Sequence, residues 1–132
     1  MPTPRLDLVI LAVEDLDRAV RFYTQAFGWN ITVRVPVYVE CKLPDGMRFG
    51  LYQRDGFARN TGRTTVACPP DRTTATELYL HVDDIDAMGR SLEGLGAECL
   101  SAKALRPWGD EATYYRDPDG NVVVLARPAP RG

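Results

Sequence analysis

The chain lacks most of the features that would declare a function outright. It has almost no net charge, with 16 Lys and Arg against 18 Asp and Glu, so there is no basic surplus of the kind a nucleic-acid backbone demands. No apolar run approaches the ~20 residues of a membrane helix. The start, Met1-Pro2-Thr3-Pro4-Arg5, has no hydrophobic leader core. Its three cysteines, Cys41, Cys68 and Cys99, are odd in number, widely spaced and free of any Cys-x-x-Cys. That pattern argues against a disulfide framework and against a zinc cluster, and the thiols read as small buried hydrophobes. His81 is the single histidine, and neither a Ser-His-Asp triad nor a phosphate loop is visible. The expectation is a cytoplasmic protein with no nucleic-acid or membrane partner.

The chain does contain a repeat. Val13-Glu14-Asp15-Leu16-Asp17 returns as Val82-Asp83-Asp84-Ile85-Asp86, and Pro44-Asp45-Gly46 returns as Pro118-Asp119-Gly120, in the same order and at nearly one spacing. Each half reads as strand, helix, turn, strands. A half of this size buries too little apolar surface to stand alone, so the 132 residues are read as a single domain of two modules sharing a core. The modules span 4–54 and 76–127, with a linker over 55–75 and a tail over 128–132.

In the first half, residues 6–13 are aliphatic and β-favouring. Asp15 can cap a helix, and Leu16, Ala19, Val20, Tyr23 and Phe27 form its apolar face before a stop at Gly28. Strands are expected over 31–35, 37–43 and 47–53, with Pro36 demanding an edge or a bulge. The Arg-, Thr-, Gly- and Pro-rich stretch 54–75 reads as loop. In the second half, a strand over 77–82 precedes a helix capped by Asp84 with a stripe of Ile85, Met88, Leu92 and Leu95. Strands follow over 97–101, 112–116 and 121–127. A loop over 102–111 carries Arg106-Pro107-Trp108-Gly109-Asp110.

Several of these motifs together resemble the glyoxalase / bleomycin-resistance / extradiol-dioxygenase superfamily. They are the capped helix with Arg21-Phe22-Tyr23 and Phe27-Gly28-Trp29, the Pro107-Trp108-Gly109 loop, and Tyr115-Arg116-Asp117-Pro118-Asp119-Gly120-Asn121. The likeness covers residues 6 to 127. It implies an α+β fold of two tandem βαβββ modules, forming a curved mixed sheet around a cavity with helices outside, commonly within a homodimer. It does not imply one chemistry, because the superfamily holds isomerases, lyases, dioxygenases, thiol transferases and drug-binding proteins. Metal-dependent members place His or Glu at one inward position on each of four strands. Those positions fall here on Leu8, Gly50, Glu77 and Val124, and only Glu77 can ligate. No metal and no other cofactor is expected.

Alternation puts Glu77, Tyr79 and His81 on one face of their strand, and groups Arg48, Gly50 and Tyr52 on another. Leu8, Ile10 and Ala12, with Val122, Val124 and Ala126, are expected to form apolar walls. The candidate ligand-binding set is therefore Trp108, Glu77, Tyr79, His81, Arg48, Tyr52, Leu8 and Val124. Trp108 stands out because it lies in a loop rather than in a periodic stripe, whereas Trp29 reads as core and Asp117 and Asp119 as turn residues. The expected function is metal-free binding of a small aromatic or planar molecule, as in drug-sequestration and antibiotic-resistance members. One alternative is an isomerase or lyase with Glu77 as general base. Another is a metal-dependent glyoxalase- or dioxygenase-like enzyme with non-standard ligands. A third is an interaction module with a vestigial pocket.

Overall fold

A computed structural model describes residues 2–130. The chain falls into two compact units that divide between Ala67 and Cys68.

The first unit runs β1 (Leu8–Val13), α1 (Leu16–Phe27), β2 (Asn30–Val35), β3 (Tyr38–Lys42), β4 (Arg48–Gln53) and α2 (Arg54–Thr61). Its four strands form one mixed sheet in the order β1-β4-β3-β2, with β1 parallel to β4 and the other pairs antiparallel. The Asp15 carboxylate accepts from the Arg18 N–H at 3.0 Å, and Gly28 closes α1 in the left-handed conformation with φ 68°. The buried face of α1, which includes Ala19, Phe22 and Tyr23, packs on the side of the sheet that carries Leu11, Val13, Val39, Phe49 and Leu51. Trp29 extends this packing as expected, with its ring 5.2 Å from that of Phe49 and stacked on Tyr23. Pro36 sits in the turn between β2 and β3 rather than inside a strand.

The second unit repeats the plan with β5 (Glu77–His81), α3 (Ile85–Gly94), β6 (Glu98–Leu105), β7 (Asp110–Arg116) and β8 (Val122–Pro128). The sheet order is β5-β8-β7-β6, again with the first pair parallel. Asp84 caps α3 through the Ala87 N–H at 3.0 Å. Tyr115 is buried against α3, its hydroxyl packed onto Gly89 so closely that a side chain there would collide with it. The fold is thus mixed α+β, with three helices and two four-stranded mixed sheets among the described residues. Among the described residues no helix is long and apolar enough to cross a membrane.

Three segments depart from expectation. The stretch read as linker from 55 begins with α2. The Gln53 side chain caps it by accepting from the Asp55 N–H at 2.8 Å and from the Gly56 N–H. Gly56 lets the helix lie against Tyr52 and Val37, and Phe57 meets the Tyr52 ring. Asp55, Gly56, Asn60 and Thr61 are weak helix formers, so tertiary packing overrides a composition that reads as loop.

The loop expected over 102–111 shrinks to a tight turn, because β6 continues to Leu105 and β7 begins at Asp110. Two register shifts in β6 break its alternation and hide the strand from the sequence. The Arg106 guanidinium stabilises the irregularity by donating to the carbonyls of Ala102 and Ala112, while lying 4.9 Å over the Tyr114 ring. At the far end β8 includes Pro128, and the Ala129 N–H donates to the Gly109 carbonyl at 3.1 Å, so the expected tail is anchored there. Residues 131 and 132 of that tail, and Met1, lie outside the described residues.

Candidate functional site

Each sheet has one face covered by its helix and one face that carries the polar and aromatic candidates. In the first unit, register places Leu8, Arg48 and Lys42 side by side, then Ile10, Gly50 and Glu40, then Ala12, Tyr52 and Tyr38. Glu40, which the sequence did not single out, dominates this face. It is only 5% exposed. Its carboxylate accepts from the Tyr38 hydroxyl at 2.7 Å and from Arg48 at 2.9 Å, and Arg48 also pairs with Asp7. Burial, followed by the hydrogen bond to Glu40, pushes the Tyr38 phenol well above its ordinary range. The Tyr38 ring lies over Gly50, so that a Cβ there would stand 2.7 Å from a ring carbon. Arg48 is thus committed to two carboxylates, and Tyr52 is packed between the rings of Tyr38 and Phe57. A glutamate in the middle of a five-residue strand, directly opposite a glycine, was the available signal for this cluster.

In the second unit, register groups Glu77 with Val122 and Arg116, then Tyr79 with Val124 and Tyr114, then His81 with Ala126 and Ala112. Val124, Ala126 and Ala112 form a fully buried apolar patch, with Tyr114 and Val122 against it. At one end of this face three candidates, Trp108, Tyr79 and His81, are linked through Asp110. The indole N–H of Trp108 donates to the Tyr79 hydroxyl oxygen at 2.6 Å, and that hydroxyl donates to Asp110 at 2.6 Å. Nε2 of His81 stands 3.4 Å from the same Asp110 oxygen. Trp108 is therefore held by its polar edge while 56% of it remains exposed. Burial and the bond to Asp110 raise the Tyr79 pKa. Asp110 itself was missed as a site residue, because it reads as part of the loop over 102–111.

Glu77 is exposed and lies at the opposite end of β5 from His81, about 13 Å away by strand rise. Among the described residues it makes no hydrogen bond or ion pair with this group. Asp117 and Asp119 are turn residues as expected. Asp117 is buried and accepts from the backbone of Asp119 and Asn121.

The positions that carry metal ligands in metal-dependent members do not fit an ion here. Leu8 and Val124 have no donor atom, and the space beside Gly50 is filled by Tyr38. Among the described residues no three His, Cys, Asp or Glu side chains converge.

The Glyoxalase/Bleomycin resistance protein/Dioxygenase superfamily description matches residues 5–125. The chain belongs to that superfamily. Solved structures with the same fold include a glyoxalase-related enzyme from Fulvimarina pelagi, at 21% identity and a TM-score of 0.81 over 94% of this chain and 88% of that one. A glyoxalase/bleomycin resistance protein/dioxygenase from Nocardioides shares 24% identity with a TM-score of 0.78, over 100% and 88% of the two chains. A lactoylglutathione lyase from Agrobacterium tumefaciens shares 23% identity with a TM-score of 0.69, over 95% and 94%. No curated protein matches the sequence. Identities this low carry the fold and leave the activity open.

The raised phenols give a direct check on the geometry. Tyr38, Tyr79 and Tyr115 should ionise above the ordinary tyrosine range, Tyr115 through burial. For each of them the neutral form is favoured in the folded state. Stability is therefore fully present below the unfolded pKa of ~10 and falls as pH rises beyond it. Ultraviolet titration of the folded protein should show a late class of tyrosines, and each Tyr→Phe variant should remove one of them. Release of all six in a single ordinary step would contradict these environments.

Proposed function

We propose that the protein is a metal-independent member of the superfamily that binds a small aromatic or planar organic molecule, in the manner of drug-sequestering and resistance proteins. The observation that carries this reading is Trp108, a half-exposed indole held through its N–H by the Tyr79 hydroxyl, which Asp110 fixes in turn while also facing His81. An aromatic platform fixed through its N–H, with a few oriented polar groups beside it, suits a flat ligand better than a flexible one. The donor-poor residues at Leu8, Gly50 and Val124 support binding without a metal. Glu77 as a general base draws no comparable support, because its exposed position supplies neither burial nor a partner.

Loss of the indole should remove stacking worth about 0.5–1.5 kcal/mol together with the fixed edge. Trp108→Ala should therefore weaken a planar aromatic ligand by roughly tenfold by calorimetry, while Glu77→Gln should change affinity by no more than about twofold. In the wild type, tryptophan fluorescence should respond to the ligand, and in Trp108→Ala the remaining Trp29 signal should not. Equal affinities for wild type and Trp108→Ala would remove the basis of the site.

The same reading includes a cytoplasmic homodimer. Edge strand β2 exposes Ile31, Val33 and Val35, and edge strand β6 exposes Leu100 and Leu105, an arrangement that a monomer would have to protect. Light scattering at micromolar concentration should give about twice 14.7 kDa. A persistent monomer would refute this part of the reading.

A further inference from the structure

The chain's one histidine shares Asp110 with Tyr79, whose hydroxyl holds Trp108. His81 closes β5, its side chain is 61% exposed, and it lines a cleft of about 390 Å³ with Val82, Asp83, Arg127 and Pro128. That cleft opens at the end of the sheet where Asp110 pairs with Pro128, the end to which Trp108 is tied through Tyr79. With Nε2 turned toward Asp110, the proton of the neutral ring belongs on Nε2, and Nδ1 keeps its lone pair. Asp110 cannot rotate away freely, since it also holds the Tyr79 hydroxyl.

Resting on the planar-ligand reading, we infer that the site selects a planar weak acid, bearing an O–H or N–H that titrates near neutrality, and binds it as the anion after moving its proton to His81. The balance is simple. The ligand O–H bond breaks, its electron pair stays on the oxygen, and an N–H bond forms at Nδ1 of His81. The resulting imidazolium lies between the ligand anion and the Asp110 carboxylate, so that both of its N–H groups face negative charge.

Charged and titratable groups of both signs face the ring. Asp110 faces it from β7, and Tyr79 lies two residues back on β5 with its ring 5.9 Å away. Arg127 on β8 lines the cleft and is steadied by donating to the Asp83 carbonyl at 2.6 Å. Its remaining N–H groups suit an anion. Asp83 at the rim is the opposing charge. In this scheme His81 touches the ligand, and Asp110 is a positioning residue that acts through it.

The test compares two probes of one shape, 4-nitrophenol, which is a weak acid with a coloured anion, and 4-nitroanisole, which has no acidic proton. It is run with the whole protein at a pH about one unit below the phenol's own pKa. Nitrophenolate absorbance should grow with added protein and saturate. Nitrophenol should bind about tenfold more tightly than nitroanisole, in line with a charge-assisted pair.

In His81→Gln the bound nitrophenol should stay colourless, and its preference over nitroanisole should fall to about twofold or less. Asp110→Asn should lower the phenolate fraction of bound nitrophenol at fixed pH. Nitrophenol that stays neutral when bound to wild type, or a phenolate signal that survives His81→Gln, overturns the inference. Equal binding of both probes with no colour overturns it too and leaves the planar-ligand reading standing. Failure of both probes to bind at millimolar concentration overturns both.

Discussion

Gly50→Glu should destabilise the protein by about 3 kcal/mol or more and should not create a metal centre. The substitution puts a carboxylate at a position where metal-dependent relatives would carry one, and on sequence grounds alone it looks like a repair. The structure gives the opposite expectation. The space a side chain would take is filled by the Tyr38 ring. Moving that ring breaks its bond to Glu40, a carboxylate that is already buried and held by Arg48. A second carboxylate beside Glu40 would add like-charge repulsion. Gly50→Ala tests the steric part alone and should cost less, about 1–3 kcal/mol. Urea unfolding reads the stability, and metal analysis of protein purified without chelator reads the ion. Near one equivalent of a divalent metal per chain with stability unchanged would show that this face is a dormant metal site.

Asp117→Ala should cost about 3 kcal/mol, because Asp117 organises a turn from inside. It is 1% exposed, and one of its carboxylate oxygens accepts from the N–H groups of Asp119 and Asn121 at 2.9 and 2.8 Å. The other accepts from the Asn121 side chain at 3.2 Å. Truncation leaves these donors buried without a partner. The damage should spread to the segment that follows Cys68, because Thr74 bonds to the Gly120 carbonyl and to the Asn121 side chain, and Arg116 holds the carbonyls of Pro69 and Arg72. Hydrogen exchange should therefore rise at Arg72 and Thr74, whose N–H groups are hydrogen-bonded, as well as in the turn. Asp117→Asn keeps the shape and should cost less. A loss below about 1 kcal/mol for the alanine variant would mean that water or a shifted backbone satisfies the turn.

The sequence by itself determined the repeat, and with it the fold. Local signals wrote it twice. Asp15 and Asp84 each cap a helix, and each helix carries an apolar stripe of period 3.6. Two Pro-Asp-Gly turns fall at matching places. Alternation along Glu77–His81 also assigned Tyr79 and His81 to one face correctly, since side-chain direction in a strand follows from parity alone.

Tertiary structure alone decided the chemistry on those faces. Parity says that Tyr79 and His81 share a side, but only the register of β7 against β8 brings Asp110 to both of them and Trp108 to Tyr79. Only the pairing of β3 with β4 sets Glu40 beside Gly50 and lets Tyr38 fill the gap. Helix α2 and the long, bulged β6 were hidden for the same reason. Helix α2 is held by distant partners, Val37 against Gly56 and Glu14 paired with Arg54, and β6 by its pairing with β7, which sets Glu98 opposite Arg116. Neighbours along the chain carry no trace of such partners. A sequence records what each residue prefers locally, and sites are built from residues whose neighbours in space are far apart in the chain.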